Sequence, residues 1–256
     1  PPMLGILGAL FNRRTKTIRE APALPLPFDG VLPHALITGA TGTGKSVLAR
    51  KLARASPGVR ILLTPAAGDL PGFDDMPLLG AFMPQGRSEA EDLLLEDLFS
   101  NLREGLLVLE VPPSVLWERS GENSLNLLGS LLHEHLRMRH TLKAPLPLTV
   151  FIDLDPHGSE LLQGVIENIR STGRKYRMSV VQVAQALADF KDPDGVLGNC
   201  GTVYAFRACS REPLLEKLAG SGYEDRLYQL SPGECLAVQP GRIPVPEIHR
   251  VPQDCC

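Results

Sequence analysis

The chain has 256 residues, 43% of them apolar, and a net charge of −3. That length supports a sizeable buried core, in one large α/β domain or two small ones. The charge balance excludes a global electrostatic footprint for nucleic acid or membrane, but not a local basic lining in a pore built by several copies.

Met3 to Phe11 is apolar, and Arg13, Arg14 and Lys16 follow it. A secretory signal puts its charge first, so this stretch reads as an arm. Such an arm packs on the body or a neighbouring subunit, or docks to a membrane or partner. No stretch approaches the roughly 20 apolar residues of a membrane span. Ala21 to Pro27 is a proline-rich, extended lead-in. Residues 1–30 are therefore expected to form an arm and lead-in, and residues 31–256 one domain. Cys200, Cys209, Cys235, Cys255 and Cys256 lack metal-ligand or disulfide spacing, which suits reduced thiols in a cytoplasmic protein.

Ala35-Leu36-Ile37-Thr38 is a short apolar run that predicts a buried strand. Directly after it stands Gly39-Ala40-Thr41-Gly42-Thr43-Gly44-Lys45-Ser46, a full match to the phosphate-loop pattern G-x-x-x-x-G-K-[ST]. Glycines let the backbone curl so that successive N–H groups face one cavity, where a triphosphate fits at a helix N-terminus. The spacing predicts that helix from Ser46 to Arg54, with Leu48 and Leu52 on its apolar face. Lys45 would reach the β- and γ-phosphates, the Ser46 hydroxyl would ligate Mg²⁺, and Val47 closes the binding segment. ATP and Mg²⁺ are the expected ligands.

Val59 to Thr64 is a second strand candidate. Pro65 to Gly86 reads as a long irregular connection, Ser88 to Arg103 as a helix with an acidic solvated face, and Leu106 to Val111 as a third strand. Asn123 to Arg139 predicts a long helix, whose His133, His135 and neighbouring His140 read as surface or interface residues. Leu148 to Asp153 is a fourth strand, Leu161 to Arg170 a helix, Ser179 to Gln185 a fifth strand and Thr202 to Arg207 a sixth. After a short helix at Leu214 to Leu218, Glu234 to Val238 and Ile243 to Ile248 predict a strand pair around Pro240-Gly241. Strands alternating with helices imply an α/β fold with a mostly parallel central sheet.

Asp153 ends the fourth strand and fits the acidic residue that holds Mg²⁺, usually through water. Hydrolysis also needs a group that orients or deprotonates water. Asp155 ranks first for that role, followed by Glu110 and His157. Gln185 ends the fifth strand, where an amide can sense a γ-phosphate. Arg170, Arg174, Lys175 and Arg177 form a basic stretch that is solvated, faces a pore or acts on a phosphate.

Gly173-Arg174-Lys175-Tyr176, then a strand ending Val183-Ala184-Gln185, resembles the FtsK/HerA superfamily of DNA-pumping P-loop motors. The loop context from His34 to Ser46 and the order of elements from about Leu32 to Val251 are similar as well. The resemblance implies a RecA-like core, a ring with six subunits as the expected number, and hydrolysis at subunit interfaces. It makes Gln185 the polar sensor and Arg174 or Arg170 a candidate arginine finger reaching into a neighbour's site. It implies double-stranded DNA as partner, gripped by loops such as Pro65–Gly86 or Gly158–Gln163. The chain's size is similar to that of the compact viral genome-packaging ATPases of this group, with a capsid or membrane-associated partner for the arm. Conjugation-type motors, an ATP-dependent switch and a small-molecule kinase are the alternatives. Leu154 departs from the pattern, since the superfamily usually has glutamate after the metal aspartate.

Overall fold

The computed structural model describes residues 34–65, 78–82, 104–111, 119–139, 141, 146–154, 156–219, 225–239 and 247–251. The N-terminal arm, the acidic Ser88–Arg103 segment, His140 and Asp155 lie outside the described residues. So do the last two cysteines and the start of the last strand predicted.

The described strands form one sheet. They are β1 (Ala35–Thr38), β2 (Val59–Thr64), β3 (Leu78–Phe82), β4 (Gly105–Glu110), β5 (Leu148–Ile152), β6 (Met178–Ala184), β7 (Thr202–Phe206), β8 (Glu234–Val238) and β9 (Glu247–Arg250). Their spatial order is β3-β4-β2-β5-β6-β1-β7-β8-β9. All pairings from β3 through β7 are parallel, while β7–β8 and β8–β9 are antiparallel. The fold class is thus α/β, with a mostly parallel sheet and a C-terminal antiparallel strand pair.

Central strands such as β1, β2, β5 and β6 are buried along their whole length, as parallel strands covered on both faces must be. One face packs against α1 (Lys45–Ala55), which buries Leu48, Ala49, Leu52 and Ala53 against Ile37, Phe151, Val181 and Val183. The other face packs against α2 (Arg119–Arg139) and α4 (Gln163–Thr172), with Leu125, Leu128, Leu132, Val165, Ile166 and Ile169 over Val150, Ile152 and Val180. Each such fully buried leucine or isoleucine contributes about 1.5–3 kcal/mol. α5 (Pro193–Asn199) and α6 (Pro213–Ala219) enclose a third cluster with β7 and β8.

Two expectations need correction. The connection Pro65–Gly86 contains β3, an edge strand parallel to β4 with an irregular register at Leu78/Gly80. The single helix expected over Leu161–Arg170 is two helices, α3 (Pro156–Leu161) and α4, broken at Leu162. Gly173–Tyr176 is a 3₁₀ turn leading into β6, closed by Arg177 in the left-handed region at φ 55°.

His34 sits just before β1, 1% exposed, and its Nδ1 accepts the Val180 N–H at 3.2 Å. Burial, reinforced by the Arg170 charge, pushes its pKa down to about 4. Half-buried His135 is pushed down to about 4 by burial and by Arg139. An unfolded histidine titrates near 6.5, so between that pH and about 4 the unfolded chain binds more protons than the folded one. Stability is therefore lost as pH falls through this window. The expected outcome is a thermal midpoint that drops between pH 6.5 and 4. The share removed by His34→Asn would be at most about 3 kcal/mol. A midpoint that is flat across the window in wild type would contradict the burial of both rings.

Candidate functional site: a phosphate loop facing an acidic strand end

The loop Gly39–Ser46 leaves the C-terminal end of β1 and is held from outside. Ala40 N–H donates to Arg207 O at 2.8 Å, just past β7. Gly233 N–H donates to Thr43 O at 2.8 Å, and Val251 N–H donates to Gly233 O at 2.7 Å. The C-terminal strand pair thereby braces the loop. Gly39 has φ 141°, and a Cβ there would meet Phe206 Cβ at 2.7 Å, so no side chain fits. Gly44 caps α1 in the left-handed region at φ 108°, with no side chain occupying the first helical N–H groups. Those N–H groups and the positive end of the helix dipole are left to a ligand.

Lys45 Nζ lies over the loop, donating to Gly39 O at 2.7 Å and Ala40 O at 2.8 Å. Thr43 Oγ1 donates to Ala40 O at 2.7 Å and tightens the curl from inside. Partial burial lowers the Lys45 pKa, and the Asp153 carboxylate opposes that shift. Asp153 follows β5 at the same edge of the sheet. Burial raises its pKa, against the hydrogen bond from Ser46 and the charges of Lys45 and Arg50. The two shifts are opposite in sign but share a cause: each favours the neutral form, because both groups lose hydration that their mutual attraction only partly replaces.

Strand order creates this encounter. β6 pairs with β1 on one side and β5 on the other, so the loop and Asp153 stand one strand apart. At β1 the connections also reverse direction across the sheet, the position where open α/β sheets bind ligands beyond their strand ends. A cavity of about 740 Å³ opens there. Its lining includes Thr41, Gly42, Gly44, Lys45, Ser46, Val47 and Asp153, together with Gln185. Gly39, Ala40 and Thr43 shape the loop from behind.

Gln185, just past β6, is exposed at the cavity wall. Its backbone N–H and that of Ala186 both donate to Asp189 Oδ2 at 3.0 Å, which fixes the turn that carries it. Leu154 is 7% exposed and packs into the core under α2 and α4. Arg174 is exposed in the 3₁₀ turn before β6, at the end of that strand away from the cavity. Arg170 is only 6% exposed and donates from Nη2 to Gln182 Oε1 at 2.5 Å. The guanidinium expected as a candidate finger at Arg170 is thus turned into the interior of its own chain. Gly158–Gln163, expected as a pore-facing grip, supplies Ser159, Glu160 and Gln163 to the cavity wall.

Sequence reasoning missed Gln182, Asp189, Glu160 and Lys191. The spacing Gln185-x-x-x-Asp189, with the carboxylate returning to two backbone N–H groups, was a readable turn signal. Gln182 gave no such sign, since it sits inside an apolar strand. Glu160 Oε1 and Lys191 Nζ pair at 2.6 Å across the rim.

Ser46 and Asp153 offer hard oxygen donors side by side, which suits Mg²⁺ shared with phosphate oxygens and water. Among the described residues no cluster of three or more His, Cys, Asp or Glu could hold a metal ion by itself. No described helix is long and apolar enough to cross a membrane.

No family model and no curated protein matches the sequence. Solved structures do match. The genome-packaging NTPase B204 of Sulfolobus turreted icosahedral virus 2, in complex with ATP-γS, is 11% identical, with a TM-score of 0.52 over 85% of this chain and 96% of that one. The bacterial conjugative coupling protein TrwBΔN70 is 15% identical, with a TM-score of 0.59 over 91% of this chain and 87% of that one. VirB4 of Thermoanaerobacter pseudethanolicus is 12% identical, with a TM-score of 0.54 over 89% and 92%. These neighbours agree with the resemblance drawn from the Gly-Arg-Lys and glutamine strand. The chain has the RecA-like P-loop fold of these three neighbours.

Proposed function

We propose that the protein is an ATP-hydrolysing motor that moves double-stranded DNA, working as a ring of subunits. The observation that carries this reading is the convergence of Lys45, Ser46 and Asp153 on one cavity at the strand ends. The loop's N–H groups and the Lys45 ammonium hold the phosphates. Ser46 and Asp153 hold the Mg²⁺, which when bound offsets charge on the phosphate oxygens. Gln185 stands where it can sense the terminal phosphoryl group. Arg174 lies far along β6 from its own cavity, so as a finger it acts only on a neighbour's nucleotide, stabilising charge on the transferring group. Six subunits remain the expected number.

The fold match to a packaging NTPase over 96% of that chain supports viral genome packaging as the role, in host cytoplasm or at a virion vertex. A conjugative DNA-transfer motor has similar structural support. A second reading is favoured by one observation: Leu154, apolar and enclosed, stands where the superfamily places its water-activating glutamate. In that reading ATP orders the oligomer with little turnover.

Lys45→Ala is expected to weaken ATP binding by about 100-fold or more, through loss of a partly buried charge-assisted contact. The check is the thermal shift produced by saturating ATP with Mg²⁺, which would disappear. Asp153→Asn is expected to retain nucleotide within about tenfold yet cut hydrolysis by roughly 10²–10³, as loss of metal-assisted charge stabilisation does. Equal shifts in wild type and Lys45→Ala would overturn the phosphate-site assignment.

For the motor, duplex DNA is expected to raise ATP turnover without sequence preference, and the stimulation to fall steeply with salt. Turnover indifferent to any DNA speaks against the motor. No hydrolysis in either wild type or Asp155→Asn identifies the switch instead.

A further inference from the structure

The cavity has a second wall, on the face of β6 that turns away from α1. Val181 and Val183 pack toward α1, whereas Met178 and Val180 pack toward α4, so alternation places Gln182 on the α4 side. Gln182 is 1% exposed, is in register with Ile152 of β5, and borders the cavity beside Leu154, Ser159 and Gln163.

Its orientation is dictated by chemistry. Arg170 Nη2 donates to it at 2.5 Å, and a guanidinium offers only donors. The atom that faces Arg170 must therefore be the carbonyl oxygen. Among the described residues, the amide nitrogen, which can only donate, is the polar atom left for whatever fills the cavity. A donor cannot take a proton from water, so Gln182 is no general base; it fits an acceptor.

The electrostatics select the kind of acceptor. Arg170 is buried, its pKa lowered chiefly by that burial, and no ion pair joins it to a carboxylate among the described residues. A buried cation is costly without an anion nearby. Leu154 contributes no charge to this wall, and the rim carboxylate of Glu160 is matched by Lys191.

Resting on the phosphate-site reading above, we infer that Gln182 Nε2 forms a subsite for an anionic phosphoryl oxygen, with Arg170 as the positioning residue that fixes its amide. The oxygen belongs either to the terminal phosphoryl group of a bound triphosphate or to inorganic phosphate beside a bound diphosphate. Gln182 thereby distinguishes these states from the bare diphosphate.

The test is calorimetric titration, with Mg²⁺, of a slowly hydrolysed ATP analogue, of ADP, and of inorganic phosphate into the ADP complex. Gln182→Glu keeps the shape and gives Arg170 an ion pair, but turns the cavity-facing donor into an acceptor. Gln182→Met keeps the volume and removes the donor. Both are expected to weaken the triphosphate or phosphate by about 10- to 100-fold and ADP by less than about twofold. Arg170→Met is expected to show the same selective loss and Arg170→Lys to restore part of it. Loss for the triphosphate alone assigns the terminal phosphoryl group, and loss for phosphate alone assigns the released ion. Unchanged binding, or equal loss for ATP analogue and ADP, overturns the subsite. Failure of wild type to bind any nucleotide is a different result, and overturns the phosphate-site reading together with it.

Discussion

The arrangement depends on the double pairing of β6. Hydrogen-bonded to β1 through Ala35–Thr38 and to β5 through Leu148–Ile152, this strand fixes the spacing between the phosphate loop and the acidic strand end. Neither Lys45 nor Asp153 defines a site alone. A lysine beside a curled loop attracts many anions, and an aspartate at a strand end is often structural. Held one strand apart, they bring an ammonium and a carboxylate to one cavity, the arrangement that the proposed phosphate and metal site needs. Buried strands on both sides make that separation stiff, because displacing β6 would break two hydrogen-bond ladders and open both faces of the core.

The loop needs support of its own, since a run of glycines loses much conformational entropy on ordering. That support comes from the C-terminal part of the chain. The carbonyls of Arg207 and Gly233, the close approach of Phe206 to Gly39, and the contact of β9 through Val251 all act on the loop or its brace. The antiparallel pair β8–β9 thus does more than extend the sheet. It ties the edge beyond β7 to the phosphate loop through a few short backbone hydrogen bonds.

Much of this was legible in the residues. The phosphate loop, its flanking strand and helix, and the apolar runs of the central strands follow from local pattern, and the structure places them within a residue or two. Strand order was not legible, because pairing between Ala35 and Val181 is set by packing across the whole chain rather than by neighbours. β3 was hidden within a glycine-, proline- and aspartate-rich stretch and has one partner among the described strands. The break at Leu162 was masked because apolar spacing continues through Leu161, Leu162 and Val165. Arg170 misled for a physical reason: charged side chains are mostly exposed, and only a buried acceptor such as Gln182 makes its enclosure tolerable.

That last pair bears on how the site handles charge. For the triphosphate proposed to bind in this cavity, each fixed carboxylate raises the cost of binding, and each fixed donor lowers it. Asp153 is tolerated because Ser46 and Lys45 are beside it and because a metal ion can share it. Leu154 removes the second carboxylate that the superfamily pattern would add next to it. With Arg170 behind Gln182 on the same side, this wall is electrostatically the reverse of that pattern: donors and a buried cation where an acid would stand. Such a wall holds anionic oxygen better and activates water less. If ATP is turned over here, the wall beside Gln182 does not supply the group that takes the water's proton, which leaves carboxylates elsewhere on the cavity wall, such as Glu160 and Asp189, or a group of a neighbouring subunit.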